Sequence, residues 1–233
     1  MLPIRDDAPH YSTPFVNYFL IVLNMLVFLF ELSLDAHSRN VFFFSFGVVP
    51  ANVTGALHAG EYTAGLLPIL TSMFMHGGWL HIAFNMWWLW IFGDNVEDSL
   101  GHFRYLIFYL LSGLGASLVH IVFNWGSRVP SVGASGAIAG IMGAYFVLFP
   151  SARVLTLVPF FFIYFTWLPA WLILGYWFVL QFLSGAATSI SYARQAAGGG
   201  VAFWAHVGGF LTGVAMIKLF PRRAPRYRFT AWQ

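Results

Sequence analysis

The segment SVGASGAIAG (residues 131–140) places Ser135 among small residues at the start of an apolar stretch. Gly136 and Gly140 are four residues apart, a spacing that lets a helix approach the backbone of a neighbouring helix closely. The same spacing recurs in AHVGGFLTG (205–213), at Ala205, Gly209 and Gly213. We therefore predict that the two segments form helices in direct contact, with Ser135 on one helix facing His206 on the other.

The composition identifies a membrane protein. Of the 233 residues, 59% are hydrophobic and only 8% are charged, whereas soluble domains contain about 25% charged residues. The chain has no cysteine, which excludes disulfides, thiolate metal sites and a cysteine nucleophile. The net charge is +3, and the few cations lie mostly at one end of the chain. The excess of cations in cytoplasmic segments of membrane proteins explains this distribution, so we expect no nucleic-acid partner.

Six membrane spans are predicted, because about 20 apolar residues cross the hydrocarbon core. They cover residues 15–32, 80–92, 103–123, 135–149, 159–183 and 201–220. The second and fourth are short, and the half-apolar connection over 34–78 is predicted to form a partly helical collar in the interface. The predicted class is therefore all-α: one polytopic membrane domain over 1–233, with an N-terminal segment (1–14) and a basic tail (221–233).

The distribution of Lys and Arg predicts the orientation. Eight of the eleven lie at the termini and the connections on the same side: Arg5, Arg104, Arg153, Lys218, Arg222, Arg223, Arg226 and Arg228. Since cytoplasmic segments carry the excess of cations, we expect both termini in the cytoplasm. The expected location is a bacterial plasma membrane, with the site open to the extracytoplasmic side.

Polar residues inside the spans are costly and mark candidate functional positions. HGGWLHIAFN (76–85) contains His76, His81 and Asn85, and the last two share one helix face. The second, fourth and sixth spans run in the same direction, so these residues, Ser135 and His206 are predicted at similar depth. A serine next to an imidazole is the arrangement that an activated nucleophile requires.

A carboxylate to complete a triad is not predicted near His206. Asp94, Glu97 and Asp98 fall at the opposite end of the second span. A Ser-His dyad is therefore the expected mechanism, with no metal and no cofactor.

This ordered set of motifs resembles the rhomboid family of intramembrane serine proteases. HxxxN is present as His81 and Asn85, GxSG as residues 133–136, and AHxxGxxxG as residues 205–213. His76, the Glu97 and Gly101 turn, and FGVVP (46–50) also match the family pattern. The resemblance covers about residues 46–213.

The resemblance implies an endopeptidase that cuts single-pass membrane proteins in the bilayer. It implies Ser135 as nucleophile and His206 as general base, with His81, Asn85 and the Ser135 backbone N–H as oxyanion donors. The supporting residues that it implies are His76, Gly133, Gly136, Gly209 and Gly213. Substrates with helix-breaking or small residues at the cut site are expected to enter laterally. Residues 159–167 and Phe84 are candidates for a gate, although a lipid-facing aromatic belt is the favoured interpretation of these residues.

One departure from the family pattern concerns His206. Many members carry an aromatic residue four positions after the serine, where this chain has Ala139, so what orients His206 stays open. No Trp-Arg pair is present in the first outer loop. Two rival functions are weighed: an inactive rhomboid-like protein that binds membrane clients, and a transporter or metal carrier that uses His76, His81, His120 and His206.

Overall fold

The computed structural model describes residues 1–160, 162–190, 202–221 and 223. In chain order the described elements are β1 (Leu2–Asp6), α1 (Phe15–Ser33), α2 (Ala36–Phe46), α3 (Pro50–His58), α4 (Tyr62–Thr71), a 3₁₀ turn (Ser72–Phe74), α5 (Trp79–Leu100), α6 (His102–Phe123), α7 (Ser135–Leu148), β2 (Arg153–Phe160), β3 (Phe162–Pro169), α8 (Ala170–Ile190) and α9 (Phe203–Met216). The basic tail predicted over 221–233 falls mostly outside the described residues.

Six helices, α1 and α5 to α9, form the bundle that the sequence predicts as six spans. Among the described residues, α1, α6 and α8 are long and apolar enough to cross a membrane. The fourth span is short as predicted, because α7 has 14 residues and a length of about 21 Å. The second is longer than predicted, since α5 continues to Leu100 for 22 residues.

The centre of the bundle is a glycine-lined contact between α7 and α9, called here the glycine seam (Gly136, Gly140, Gly209 and Gly213). A Cβ atom added at Gly209 would collide with the Gly136 carbonyl oxygen, and one at Gly213 with that of Gly140. Helix α7 is surrounded by protein, because every residue from Gly136 to Tyr145 is buried. The small residues therefore set the separation of the two helices that carry Ser135 and His206.

The connection over 34–78, called here the first loop, is partly helical, as predicted. Its helices α2 to α4 have 9 to 11 residues, too few to cross the hydrocarbon core. The loop is tied to the segment before α7, because Val48 and Ser131 exchange backbone hydrogen bonds of 2.9 and 2.8 Å. The FGVVP element thus holds the chain that leads into Ser135.

A small antiparallel sheet is an addition to the predicted fold. β1 pairs with β2, with Leu2 opposite Leu157, and β2 pairs with β3, with Arg153 opposite Pro169. The predicted fifth span begins too early, because β2 extends to Phe160, β3 covers Phe162–Pro169 and α8 begins at Ala170. Aromatic and β-branched residues favour strands, and Pro159 disfavours a helix interior.

Candidate active site

Ser135 is the first residue of α7, so its backbone N–H lacks a partner within the helix. The preceding turn requires glycine, since Gly133 has φ of +137°, where L side chains are disfavoured. Gly133 N–H donates to the Ser72 carbonyl at 2.9 Å. The GxSG sequence therefore holds Ser135 at a helix N-terminus, where its N–H has no partner within α7 and lies beside its hydroxyl.

His206 lies in the first turn of α9 and meets Ser135 across the glycine seam. The distance from His206 Nε2 to Ser135 Oγ is 2.8 Å, and only 8% of His206 is exposed. The structure thus brings together the two residues that are 71 positions apart in sequence. This is hydrogen-bond geometry for proton transfer from a hydroxyl to an imidazole.

The other nitrogen of His206 contacts a residue that the sequence analysis did not identify. Gln181 Oε1 on α8 lies 2.7 Å from His206 Nδ1. Trp177, one turn earlier on α8, has its ring centroid 5.6 Å from that of His206. A glutamine within an apolar helix is itself unusual, and this signal in the sequence could have pointed to Gln181.

The neighbours of His206 explain the departure at Ala139. Ala139 is fully buried in the core, and a Cβ at Gly209 would lie 3.2 Å from its side chain. The glycine seam therefore leaves no room there for an aromatic ring. Trp204 does not take that place, because it stacks on Phe123 at 3.8 Å and donates to Ser189 Oγ at 3.0 Å.

His81 and Asn85 lie in the first two turns of α5 and reach the site from a third helix. His81 Nδ1 accepts a hydrogen bond from the Gly77 N–H at 3.3 Å, so a neutral ring carries its hydrogen on Nε2. A Cβ added at Gly133 would lie 2.7 Å from that Nε2, which places His81 against the turn before Ser135. Asn85 is 7% exposed, and its buried Nδ2 has no partner within the described chain.

His76 contacts His81 through its ring and makes no ring hydrogen bond among the described residues. Its ring centroid lies 5.1 Å from that of His81, and neither ring nitrogen has a partner among the described residues. Its backbone N–H lies 3.2 Å from both carboxylate oxygens of Glu31. This backbone contact ties the segment before α5 to α1, and the supporting role of the His76 side chain stays a prediction.

The acidic residues of α5 lie at the opposite end of the helix from His81. Glu97 accepts from the Val16 and Asn17 N–H groups, and Asp98 accepts from Tyr11 N–H. Across the described ranges, no group of three or more His, Cys, Asp or Glu side chains could hold a metal ion. The metal-carrier alternative therefore finds no site in this part of the chain.

A small cavity lies beside Ser135. Its volume is about 30 Å³, and its lining includes Ser72, Ser117, His120 and Ser131. This volume accommodates about one water molecule. The two gate candidates differ in structure: Phe84 is 51% exposed on α5, whereas the described residues of the 159–167 run belong to strands β2 and β3.

Comparison with known proteins identifies one family. The family described as Rhomboid domain matches residues 63–223, more than half of the chain. The region includes Ser135, His206, His81, Asn85 and Gln181.

Individual relatives carry the same family names. The chain is 38% identical over 132 residues to the rhomboid protease GluP of Bacillus subtilis (strain 168), covering 56% of this chain and 24% of GluP. It is 30% identical over 142 residues to the rhomboid protease AarA of Providencia stuartii, covering 54% and 47%. It is 30% identical over 177 residues to a mitochondrial presenilin-associated rhomboid-like protein A of Danio rerio, covering 70% and 41%. The chain thus spans less than half the length of each relative.

Proposed function

The chain belongs to the rhomboid family, and from this premise we propose that it is an intramembrane serine endopeptidase acting on single-pass membrane proteins. The observation that carries the proposal is the 2.8 Å contact between Ser135 Oγ and His206 Nε2. A protein that only binds clients has no use for this contact. The inactive rhomboid-like alternative is therefore the weaker candidate.

In the proposed mechanism, His206 Nε2 takes the Ser135 proton as the oxygen attacks the scissile carbonyl carbon. The tetrahedral intermediate then collapses, and His206 returns the proton to the leaving amine. In the second half, His206 removes a proton from water, which attacks the acyl-Ser135 ester, and Ser135 is regenerated on release of the new carboxyl end.

The oxyanion that forms in each half needs hydrogen-bond donors. We propose Ser135 N–H, His81 Nε2–H and Asn85 Nδ2–H for this role. Support comes from the free N–H at the start of α7, the tautomer of His81 and the unpartnered Nδ2 of Asn85. The N-terminal end of α7 also carries partial positive charge, which favours an oxyanion.

The proposed substrate is a transmembrane segment that unwinds near the site, so small or helix-breaking residues are expected at the cut. The positive-inside distribution of Lys and Arg supports an orientation with both termini in the cytoplasm. The site would then open to the extracytoplasmic side. The bacterial plasma membrane and the single domain over 1–233 stay predictions.

The test is labelling by a serine-reactive fluorophosphonate of protein folded in detergent micelles. We expect the wild type and Ser99→Ala to be labelled, Ser135→Ala to be unlabelled and His206→Ala to be labelled much more slowly. Ser99 is a suitable control because it lies near the opposite end of α5 and bonds to the Asn95 carbonyl. Cleavage of a single-span reporter in liposomes, with the cut site mapped by mass spectrometry, tests the peptidase activity itself. Absence of labelling and cleavage in folded wild type would exclude the proposal.

A further inference from the structure

Helix α8 supplies a polar contact to His206 that is separate from the contact between His206 and Ser135. Gln181 Oε1 lies 2.7 Å from His206 Nδ1, on the side of the ring opposite Ser135. From Ala170 to Leu183 the helix sequence contains no charged residue and no other amide. A lone amide in an apolar helix is costly unless it has a partner. The partner of the Gln181 amide is the His206 imidazole.

The protonation chemistry of histidine gives this contact a consequence. A neutral imidazole carries one hydrogen, on either Nδ1 or Nε2, and the hydrogen bond at one nitrogen fixes the state of the other. If Nδ1–H donates to the Gln181 carbonyl, Nε2 has a lone pair facing the Ser135 hydroxyl. The opposite tautomer would point an N–H at Ser135 and could not accept its proton.

We propose that Gln181 is a positioning residue that holds His206 in the Nδ1–H tautomer, so that Nε2 serves as the base for Ser135. This proposal rests on the proposed protease function. Gln181 would thus do the orienting work of the third residue of a triad with a neutral side chain. A carboxylate at this depth would add the cost of burying a charge, and an amide avoids it.

Helix α8 also packs against the face of the imidazole. Trp177 is four residues before Gln181 and therefore lies on the same helix face, with its ring 5.6 Å from the His206 ring at a tilt of 35°. One helix therefore supplies both the hydrogen bond and the ring contact. Position 139 on α7 has no room for an aromatic side chain that could make this contact, because the α7 and α9 backbones lie too close together at the glycine seam.

The first measurement reads the tautomer directly. In protein with ¹⁵N-labelled histidine in micelles, the His206 signals are assigned by their loss in His206→Ala, and their shifts distinguish Nδ1–H from Nε2–H. We expect the Nδ1–H form in wild type and a mixture or the other form in Gln181→Met. This substitution keeps the length of the side chain and removes the amide oxygen that accepts from Nδ1–H. This readout needs no proteolysis, so it stays interpretable if the protease proposal fails.

The second measurement is kinetic, with the reporter in liposomes. We expect Gln181→Met to lower kcat by about 10- to 100-fold, the effect of losing one buried hydrogen bond, with KM changed less than about threefold. Gln181→Glu retains an oxygen acceptor and should recover part of kcat and the Nδ1–H tautomer. Leu180→Met, at a neighbouring position that is 40% exposed, is the matched control and should leave both readouts unchanged.

Two results would overturn the assignment. One is a wild-type His206 in the Nε2–H form, which is incompatible with Gln181 as the acceptor for Nδ1. The other is a Gln181→Met protein that keeps the wild-type tautomer and kcat. If Gln181→Met fails to fold, the wild-type tautomer and the Gln181→Glu kinetics still decide the question.

Discussion

The two ends of the bundle use buried polar groups in opposite ways. At the end of α5 that holds Glu97, called here the anchor end (residues 93–102), the polar groups mostly have partners within the protein. Glu97 accepts from the Val16 and Asn17 N–H groups at 2.9 and 2.7 Å and lies 2.5 Å from His102 Nδ1. These bonds cap the start of α1 with a charged acceptor, so they fasten one helix to another.

The other end is called here the site end (residues 76–85, with Ser135 and His206), and several of its buried polar atoms lack partners among the described residues. Asn85 Nδ2 and both ring nitrogens of His76 are buried without a hydrogen-bond partner in the described chain. An unpaired buried polar group costs stability. We infer that the polar groups at the anchor end stabilise the fold, whereas those at the site end are available for the role that the proposed function gives them.

The largest expected effect follows from replacing Asn85, at the site end of α5, with alanine. Asn85→Ala should lower kcat by about 10²- to 10³-fold, because an oxyanion donor is lost, while the melting temperature in micelles stays within about 2 °C. The measurements are reporter cleavage and thermal unfolding of the same preparations.

Asn95→Ala is the matched control for that experiment. Asn95 lies on the same helix and is fully buried, but its Nδ2 donates to the Ala8 carbonyl at 3.0 Å. It should therefore lose stability, by about 1 to 3 kcal/mol, and keep kcat. Equal kcat in Asn85→Ala and wild type would remove Asn85 from the proposed oxyanion hole and weaken the contrast between the ends.

The second effect concerns Glu97. Glu97→Ala should lower the free energy of unfolding by about 2 to 4 kcal/mol, since one buried and one part-buried backbone donor and His102 lose their acceptor. Activity per folded molecule should remain near that of wild type, measured as the fluorophosphonate labelling rate at a temperature well below unfolding. A rate that falls with stability unchanged would contradict the division between the two ends.

The site was more predictable from sequence than the elements around it. Ser135 and His206 could be paired because small residues at four-residue spacing mark both helices at the seam. His81 and Asn85 could be placed on one face of α5 because they are one helical turn apart. The contact of Gln181 with His206 depends on the rotation of α8 about its axis, which hydropathy does not fix.

The sheet at β1–β3 was missed for a different physical reason. The residues of β2 and β3 are mostly apolar and extend the apolar stretch that leads into α8. The pairing of Leu2 with Leu157 joins residues far apart in sequence. Hydropathy over 159–183 predicts a span, whereas the aromatic run and Pro159 favour a strand. The acidic anchor residues were located at the correct end of α5, but their hydrogen-bond partners in the N-terminal segment were not predicted.

The third expected effect concerns Asp6, a carboxylate on β1 outside the anchor end. Burial raises the pKa of Asp6, against the lowering effect of its hydrogen bond from Tyr145. A raised folded-state pKa means that the stabilisation by Asp6 is present at low pH and is lost as pH rises through that pKa. We expect Asp6→Asn to gain stability relative to wild type between pH 3 and pH 7 in thermal unfolding scans. A difference that is constant with pH would contradict this assignment.

The smallest expected effect has the opposite sign and concerns the next residue. The Arg153 backbone N–H and guanidinium donate to Asp7 at 2.7 Å each and hold the pKa of that carboxyl below its ordinary value of 3.8. The stabilisation by Asp7 is therefore present above pH 4 and is lost as pH falls through the lowered pKa. Because the pair is largely exposed, Asp7→Asn should cost no more than about 1 kcal/mol at pH 7, and the cost should shrink below pH 4 and in high salt. Opposite pH trends for Asp6→Asn and Asp7→Asn would show that burial sets the sign of the effect at Asp6 and that the bonds from Arg153 set it at Asp7, whereas parallel trends would refute that distinction.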